Sequence, residues 1–256
     1  MDNLRFTARN YALEHANKIH SDEIARKFGF TGALVPGVGI YSYIIAPAVT
    51  IFGSQWLESG TSSVKFLKPV YDGSEVTVQS TQVDASNLHL ELYDEKGVLC
   101  AIADAGSEPA SPVSGANYAF EAPPHPESRR APLAESLPVG SVLGSLVGTF
   151  GSEALGGHFD PAVRHAALLL ALANDVIAAN VELGPWIHTA STVAQFSRLN
   201  EGESFSLRGF VADSGKKRGH DFVATDLMLF GNSERPIAAI RHSALIRLNT
   251  VPTNSD

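Results

Sequence analysis

Between Lys27 and Glu58 the chain carries no charged residue. An apolar stretch of that length belongs in the centre of a large core or in a bilayer. Here Gly29, Gly32, Pro36, Gly37, Gly39 and Pro47 interrupt it, and basic anchors do not flank both ends. The stretch therefore reads as a glycine-rich turn followed by a long buried helix over residues 37 to about 58, with Pro47 as a place to kink. Just ahead of it lies a compact polar cluster: Glu14, His15, Asn17, His20 and Asp22. Ser21 or Asp22 suits the N-cap of a short helix over 23–28, which Gly29 ends.

After residue 62 the hydrophobic period changes from helical to alternating. Residues 63–67, 75–83, 88–93 and 98–105 read as strands, with turns at 69–73 and 94–97. A Pro-, Ser- and Ala-rich stretch over 106–137 reads as a linker, and 116–122 could cover an edge strand. The order of elements then repeats. Residues 139–150 suit a strand. Asp160-Pro161 reads as the start of a second apolar helix through Asn180. Strands follow at 192–196, 203–211, 222–230 and 236–248, the last two joined by a hairpin at 231–235. An offset of 129 residues superposes Val64 on Val193, Gly73 on Gly202, Val76 on Phe205 and Val78 on Leu207. The second half has no counterpart of the polar cluster. Around its helix start stand only His158, Asp160 and His165, so the first half is expected to supply chemistry and the second to shape an apolar pocket.

Composition narrows the function classes. Hydrophobic residues make up 44% of 256 and charged residues 18%, enough for a full core and too little charge for global disorder. A net charge of −8 argues against nucleic acid or an anionic membrane as the main partner. An anionic ligand would need a local basic patch, for which Lys65, Lys68, Arg198, Arg208 and Arg241 are candidates. The single cysteine, Cys100, excludes an internal disulfide and sits in a strand pattern as a buried residue. His15 and His20 are five apart and lack a third ligand, so no metal is expected. His188, His220 and His242 are scattered and read as structural. No secretory signal is visible at the N-terminus, which makes the cytoplasm the expected compartment. No Gly-x-Ser-x-Gly, phosphate-binding loop or dinucleotide fingerprint appears.

The segment Asn17-Lys18-Ile19-His20-Ser21-Asp22, then Ala25, Gly29-Phe30-Thr31-Gly32 and Val35-Pro36-Gly37, resembles the MaoC-like (R)-specific enoyl-CoA hydratases of the hotdog superfamily. It departs from their motif where His15 stands at the catalytic Asp and Lys18 at the Pro. The resemblance implies an α+β double hotdog: two antiparallel sheets, each wrapped around a central helix, forming a pseudo-dimer. On that reading residues 1–107 are the first hotdog module, 108–134 a linker, 135–250 the second module and 251–256 a tail. The implied activity is hydration or dehydration of an enoyl or 3-hydroxyacyl thioester. No cofactor is expected beyond the coenzyme A or carrier phosphopantetheine borne by the substrate, and the chain is expected to form a homodimer, with no membrane partner.

Hydration needs a base to activate water for C3, an acid to protonate C2, and donors for the thioester oxygen. The resemblance assigns base or water orientation to His20, with Glu14 or His15 in place of the missing Asp. It assigns to Asn17 a hold on the substrate or on the loop, substrate contact to Val35 and Pro36, and oxyanion donation to the amide of Gly37. Two rivals stay open. One is a non-catalytic acyl-thioester-binding protein, suggested by the departures from the motif. The other is a thioesterase, which in hotdog proteins usually relies on a carboxylate in or near the central helix; residues 37–57 contain none.

Overall fold

The computed structural model describes residues 3–13, 16–110, 118, 128–151 and 158–249. The first half comprises β1 (Leu4–Thr7), α1 (Asp22–Lys27), α2 (Gly37–Phe52), α3 (Trp56–Ser59), β2 (Thr61–Phe66), β3 (Glu75–Gln82), β4 (Asn87–Asp94) and β5 (Leu99–Gly106). The second comprises β6 (Leu146–Thr149), α4 (Arg164–Asn180), β7 (Ile187–Gln195), β8 (Ser204–Lys217), β9 (His220–Phe230) and β10 (Pro236–Arg247). All ten strands are antiparallel to their neighbours and form one sheet in the order β1-β3-β4-β5-β2-β7-β10-β9-β8-β6. This is the double hotdog, with the two expected sheets fused into one at β2 and β7.

The order is a palindrome, and the 129-residue offset locates its centre. Ser63 pairs with Thr192, the residue 129 positions later, while Val64 faces Ser191 and Ser62 faces Val193. A pseudo-twofold axis therefore passes through the Ser63–Thr192 pair. Gly73 and Gly202 both adopt a left-handed φ, 80° and 76°, in the turns before β3 and β8. The edge strands also correspond, since Leu4 pairs with Val78 and Leu146 with Leu207.

Both central helices lie in a single core. On α2, Val38, Ile40, Tyr41, Ile44, Ile45 and Ala48 are buried; on α4, Ala166, Ala167, Leu169, Leu170, Ala173 and Ile177 are buried. The small residues of α4 let it approach α2. No helix among the described residues is long and apolar enough to cross a membrane. The uncharged run fits instead because α2 ends at Phe52, where Gly53 takes φ 80° and breaks the helix before α3; it does not continue to residue 58.

Other boundaries differ from the sequence reading for local reasons. The alternating stretch 139–150 is regular strand only over β6, because Gly140 turns with φ 86° and residues 140–143 make scattered bonds to β8. Asp160 does not cap α4 directly. Its carboxylate accepts the amide of Ala162 at 2.8 Å, making a turn, and the helix starts at Arg164. Ser21 precedes α1 without capping it, its hydroxyl donating back to Lys18 O at 2.8 Å. Within the linker stretch, Tyr118 packs on Met228 and Phe230 in the second half, over the sheet rather than an edge strand. Cys100 is buried in β5, and burial pushes its thiol up to about 11.

Candidate functional site

The loop between β1 and α2 is braced by side chains that bond to backbone. Asn10 receives little from regular structure, so its amide donates to Asp72 Oδ1 at 2.7 Å and its Nδ2 to His20 O at 2.9 Å. Asn17 caps a 3-10 turn at Lys18–His20, accepting the Ile19 amide at 3.3 Å. Ile19 anchors that turn in a small apolar cluster with Ala25 and Leu34. Gly29, at φ 85°, ends α1 as its position predicts. Asp22 Oδ1 accepts the amide of Ala33 at 2.7 Å; a Cβ on Gly32 would stand 3.2 Å from that oxygen, so the glycine leaves room for the brace. Val35 then pairs with Val70 at 2.8 Å, and Pro36 opens α2.

These contacts fix the ring of His20. Its Nδ1 lies 2.7 Å from Leu34 O. A carbonyl can only accept, so Nδ1 carries the proton, and in the neutral ring Nε2 holds a lone pair. Asn17 Nδ2 stands 3.5 Å from Nε2. The stronger contacts of Asn17 reach the second half: Nδ2 donates to Trp186 O at 3.0 Å, and Oδ1 accepts the Trp186 amide at 3.2 Å. The side chain is 5% exposed. Asn17 thus bolts the His20 loop to the start of β7. Glu14 and His15 lie outside the described residues.

His20, Asn17, Val35, Pro36 and Gly37 line one cavity of about 1180 Å³ between the halves. Tyr11 shares that wall, and burial holds its phenol well above the usual range. The far wall comes from the second half: Ala171, Asn174 and Asp175 of α4, and Trp186 to Ala190 at the start of β7. Of the alanines on α4, only Ala171 lines the cavity; Ala166, Ala167 and Ala173 serve the core. At the start of α2 the amides of Gly37 and Val38 precede the first intrahelical bonds, which run from Gly39 and Ile40 to Pro36 O. Both residues line the cavity.

The five cations proposed from sequence do not converge. Lys65 and Lys68 line the cavity. Arg208 pairs with Glu234 at 2.6 Å and Arg241 with Asp226 at 3.0 Å, both elsewhere, and Arg198 is not on the cavity wall. Lys217 and Arg218, at the tip of the β8–β9 hairpin, take their place. Among the described residues none of these four cavity cations is in an ion pair.

Sequence reading also missed His188. It started the strand at Thr192, because polar His188 and Ser191 break the apolar alternation. In fact β7 begins at Ile187 and turns both inward. The period accounts for Ser191, since residues 191, 193 and 195 all face the core, but His188 is out of phase with it and is turned inward by a register shift opposite Ser243 and Ala244.

No protein family and no curated protein matches the sequence. Solved structures match over nearly the whole chain at low identity. One is a double-hotdog protein of Mycobacterium tuberculosis (13% identity, 96% of each chain, TM-score 0.62). Another is a MaoC-like dehydratase (13%, 97% of each chain, 0.59). A third, from Thermobifida fusca, is named provisionally as a thioesterase II (16%, 87% of this chain and 90% of that one, 0.54). The fold of this chain is therefore the double hotdog, which MaoC-like dehydratases share with proteins named as thioesterases.

Proposed function

We propose that this chain is a hydratase or dehydratase of enoyl or 3-hydroxyacyl thioesters. One observation carries the reading: a histidine whose Nδ1 is held by Leu34 O, which makes Nε2 its basic nitrogen, lines the same cavity as the first turn of α2. Water held at His20 gives up a proton to Nε2 as its oxygen bonds to C3. The electrons of the C2–C3 double bond move toward the thioester carbonyl, whose oxygen gains charge at the amide of Gly37. A proton then reaches C2 from Glu14 or His15, and the reverse sequence expels water. Val35 and Pro36 form the wall beside the acyl group, and Asn17 holds the loop that carries the base.

Lys65, Lys68, Lys217 and Arg218 support a phosphate-bearing carrier, either coenzyme A or a carrier protein's phosphopantetheine. Four cations without an ion-pair partner among the described residues are notable on a chain of net charge −8. The test follows the absorbance of the conjugated thioester when a series of trans-2-enoyl-CoA substrates meets the protein. Absorbance should fall with the wild type and fall far more slowly with His20→Ala. Equal rates, or no loss at any chain length, would contradict the reading. His15→Asp should raise the rate if the acid is suboptimal as it stands.

A second reading, thioester hydrolysis, rests on Asp175. α2 has no carboxylate, but Asp175 places one on the other central helix at the cavity wall. A thiol reagent detects its product directly, and Asp175→Asn should abolish release if this reading holds.

A further inference from the structure

β7 and β10 lie side by side, and three polar side chains on them face the core. His188 is 7% exposed, Ser191 4% and His242 0%. Ser191 Oγ stands 2.8 Å from His188 Nε2 and 2.9 Å from His242 Nδ1. The ring centroids are 4.1 Å apart. A hydroxyl has one proton, so it donates to at most one ring and accepts from the other. The outer nitrogens, His188 Nδ1 and His242 Nε2, have no hydrogen-bond partner among the described residues. Burial keeps both rings neutral, holding His188 well below its usual range and His242 at about 3.

Packing gives no reason for this arrangement. Each unpartnered buried polar atom is destabilising, and an apolar trio of the same shape would avoid that cost. What the chain of bonds does is fix the plane of the His188 ring, and that ring touches the site. A Cβ on Gly37 would stand 2.9 Å from His188 Nδ1, 3.4 Å from His188 Cβ and 3.3 Å from Phe66 Cε2. The ring also meets Phe66 edge-on, at 4.8 Å between centroids. Gly37 lacks a side chain where a locked imidazole presses against the first turn of α2.

We propose that His188 is a positioning residue, braced by Ser191 and His242. Its ring sets the height and rotation of the first turn of α2, and so where the amides of Gly37 and Val38 stand in the cavity. This rests on the reading that those amides receive the thioester oxygen. His188 acts through Gly37 rather than on substrate, and it is the route by which the second half governs the chemistry of the first.

The test uses Gly37→Ala, His188→Ala and the double variant in the full chain, with trans-2-hexenoyl-CoA as probe. A methyl on residue 37 collides with Nδ1 and must displace the turn. Misplacement of that kind should lower kcat about 100-fold in Gly37→Ala and about tenfold in His188→Ala, with KM changing less than about threefold. The double variant should be at least about tenfold faster than Gly37→Ala, because the methyl then occupies the space the ring left. A double variant no faster than Gly37→Ala overturns the proposal. Amide resonances of Gly37 and Val38 give a second readout that needs no turnover. They should shift along the same direction in His188→Ala and in Ser191→Ala, which removes only the brace. Unmoved amides overturn the proposal, whether or not the protein is a hydratase. Absence of hydration in the wild type, with shifted amides, overturns only the functional reading.

Discussion

The two halves start their central helices in opposite ways. In the first, Pro36 leads straight into α2, and Gly37 and Val38, whose amides precede the first intrahelical bonds, line a cavity. In the second, Asp160 takes the amide of Ala162 on its carboxylate and those of Val163 and Arg164 on its carbonyl. His165 then closes that end, accepting the Leu199 amide at 3.2 Å while 5% exposed. The same scaffold thus carries one open helix start and one sealed by its own chain. A duplicated fold has two positions where a reaction could sit, and local backbone satisfaction decides which is used.

The sharpest way to break this contrast is to remove a histidine from each half. His20→Ala should lower the hydration rate about 10²–10⁴-fold, the range typical of a lost general base. His165→Ala should leave kcat within about twofold, since the same effect requires hydrogen-bond reach of the substrate. Equal losses in both would mean that the second half takes part in the chemistry.

Acid should expose the second half next. Burial, then Arg198, lowers His165 to about 4, burial lowers His242 to about 3, and burial, then His242, holds His188 well below its usual range. These folded-state values lie below those of an unfolded chain, so the stabilising contribution is complete above about pH 6.5. As pH falls, the unfolded chain gains protons that the native rings refuse. Each ring then removes up to about 1.4 kcal/mol per pH unit, His165 until about pH 4. Urea midpoints at pH 7, 6 and 5 should fall steadily, and His242→Gln should reduce the slope by about a third. A flat profile would show that the rings are not held neutral.

Asn17 tests the junction between halves. Asn17→Ala leaves the Trp186 amide and carbonyl without their partners and should destabilise the protein by about 2–4 kcal/mol, read from thermal unfolding. Loss of thioester affinity with unchanged stability would make Asn17 a ligand contact instead. The smallest expected effect is at the cavity cations. Lys217→Gln with Arg218→Asn, asparagine suiting the left-handed φ of 51° at 218, should weaken binding of a CoA thioester about tenfold at low salt. An N-acetylcysteamine thioester, which has no phosphate, should bind as before.

The fold was legible because it follows from local period and its repetition. Alternation marked β3 to β5, the uncharged run marked α2, and the offset of 129 marked the repeat, whose pseudo-twofold axis the Ser63–Thr192 pair then locates. His20 was legible from its spacing to Asn17 and the glycines. What escaped was convergence. Lys217 and Arg218 reach the cavity only because a hairpin of the second half folds over the first, and no local pattern encodes that. His188 escaped because an inward polar residue contradicts the apolar alternation by which a strand is recognised. Asn17 shows its role only when Trp186, 169 positions away, arrives beside it.

The central claim is that the open helix start and His20 add water across a carbon–carbon double bond. Turnover of a trans-2-enoyl-CoA in oxygen-18 water tests it most directly, with the product analysed by mass spectrometry. The account predicts one oxygen-18 at C3, a thioester left intact, and a rate that collapses in His20→Ala. Oxygen-18 in a released carboxylate, with the double bond retained and free thiol formed, would contradict it and assign the cavity to hydrolysis.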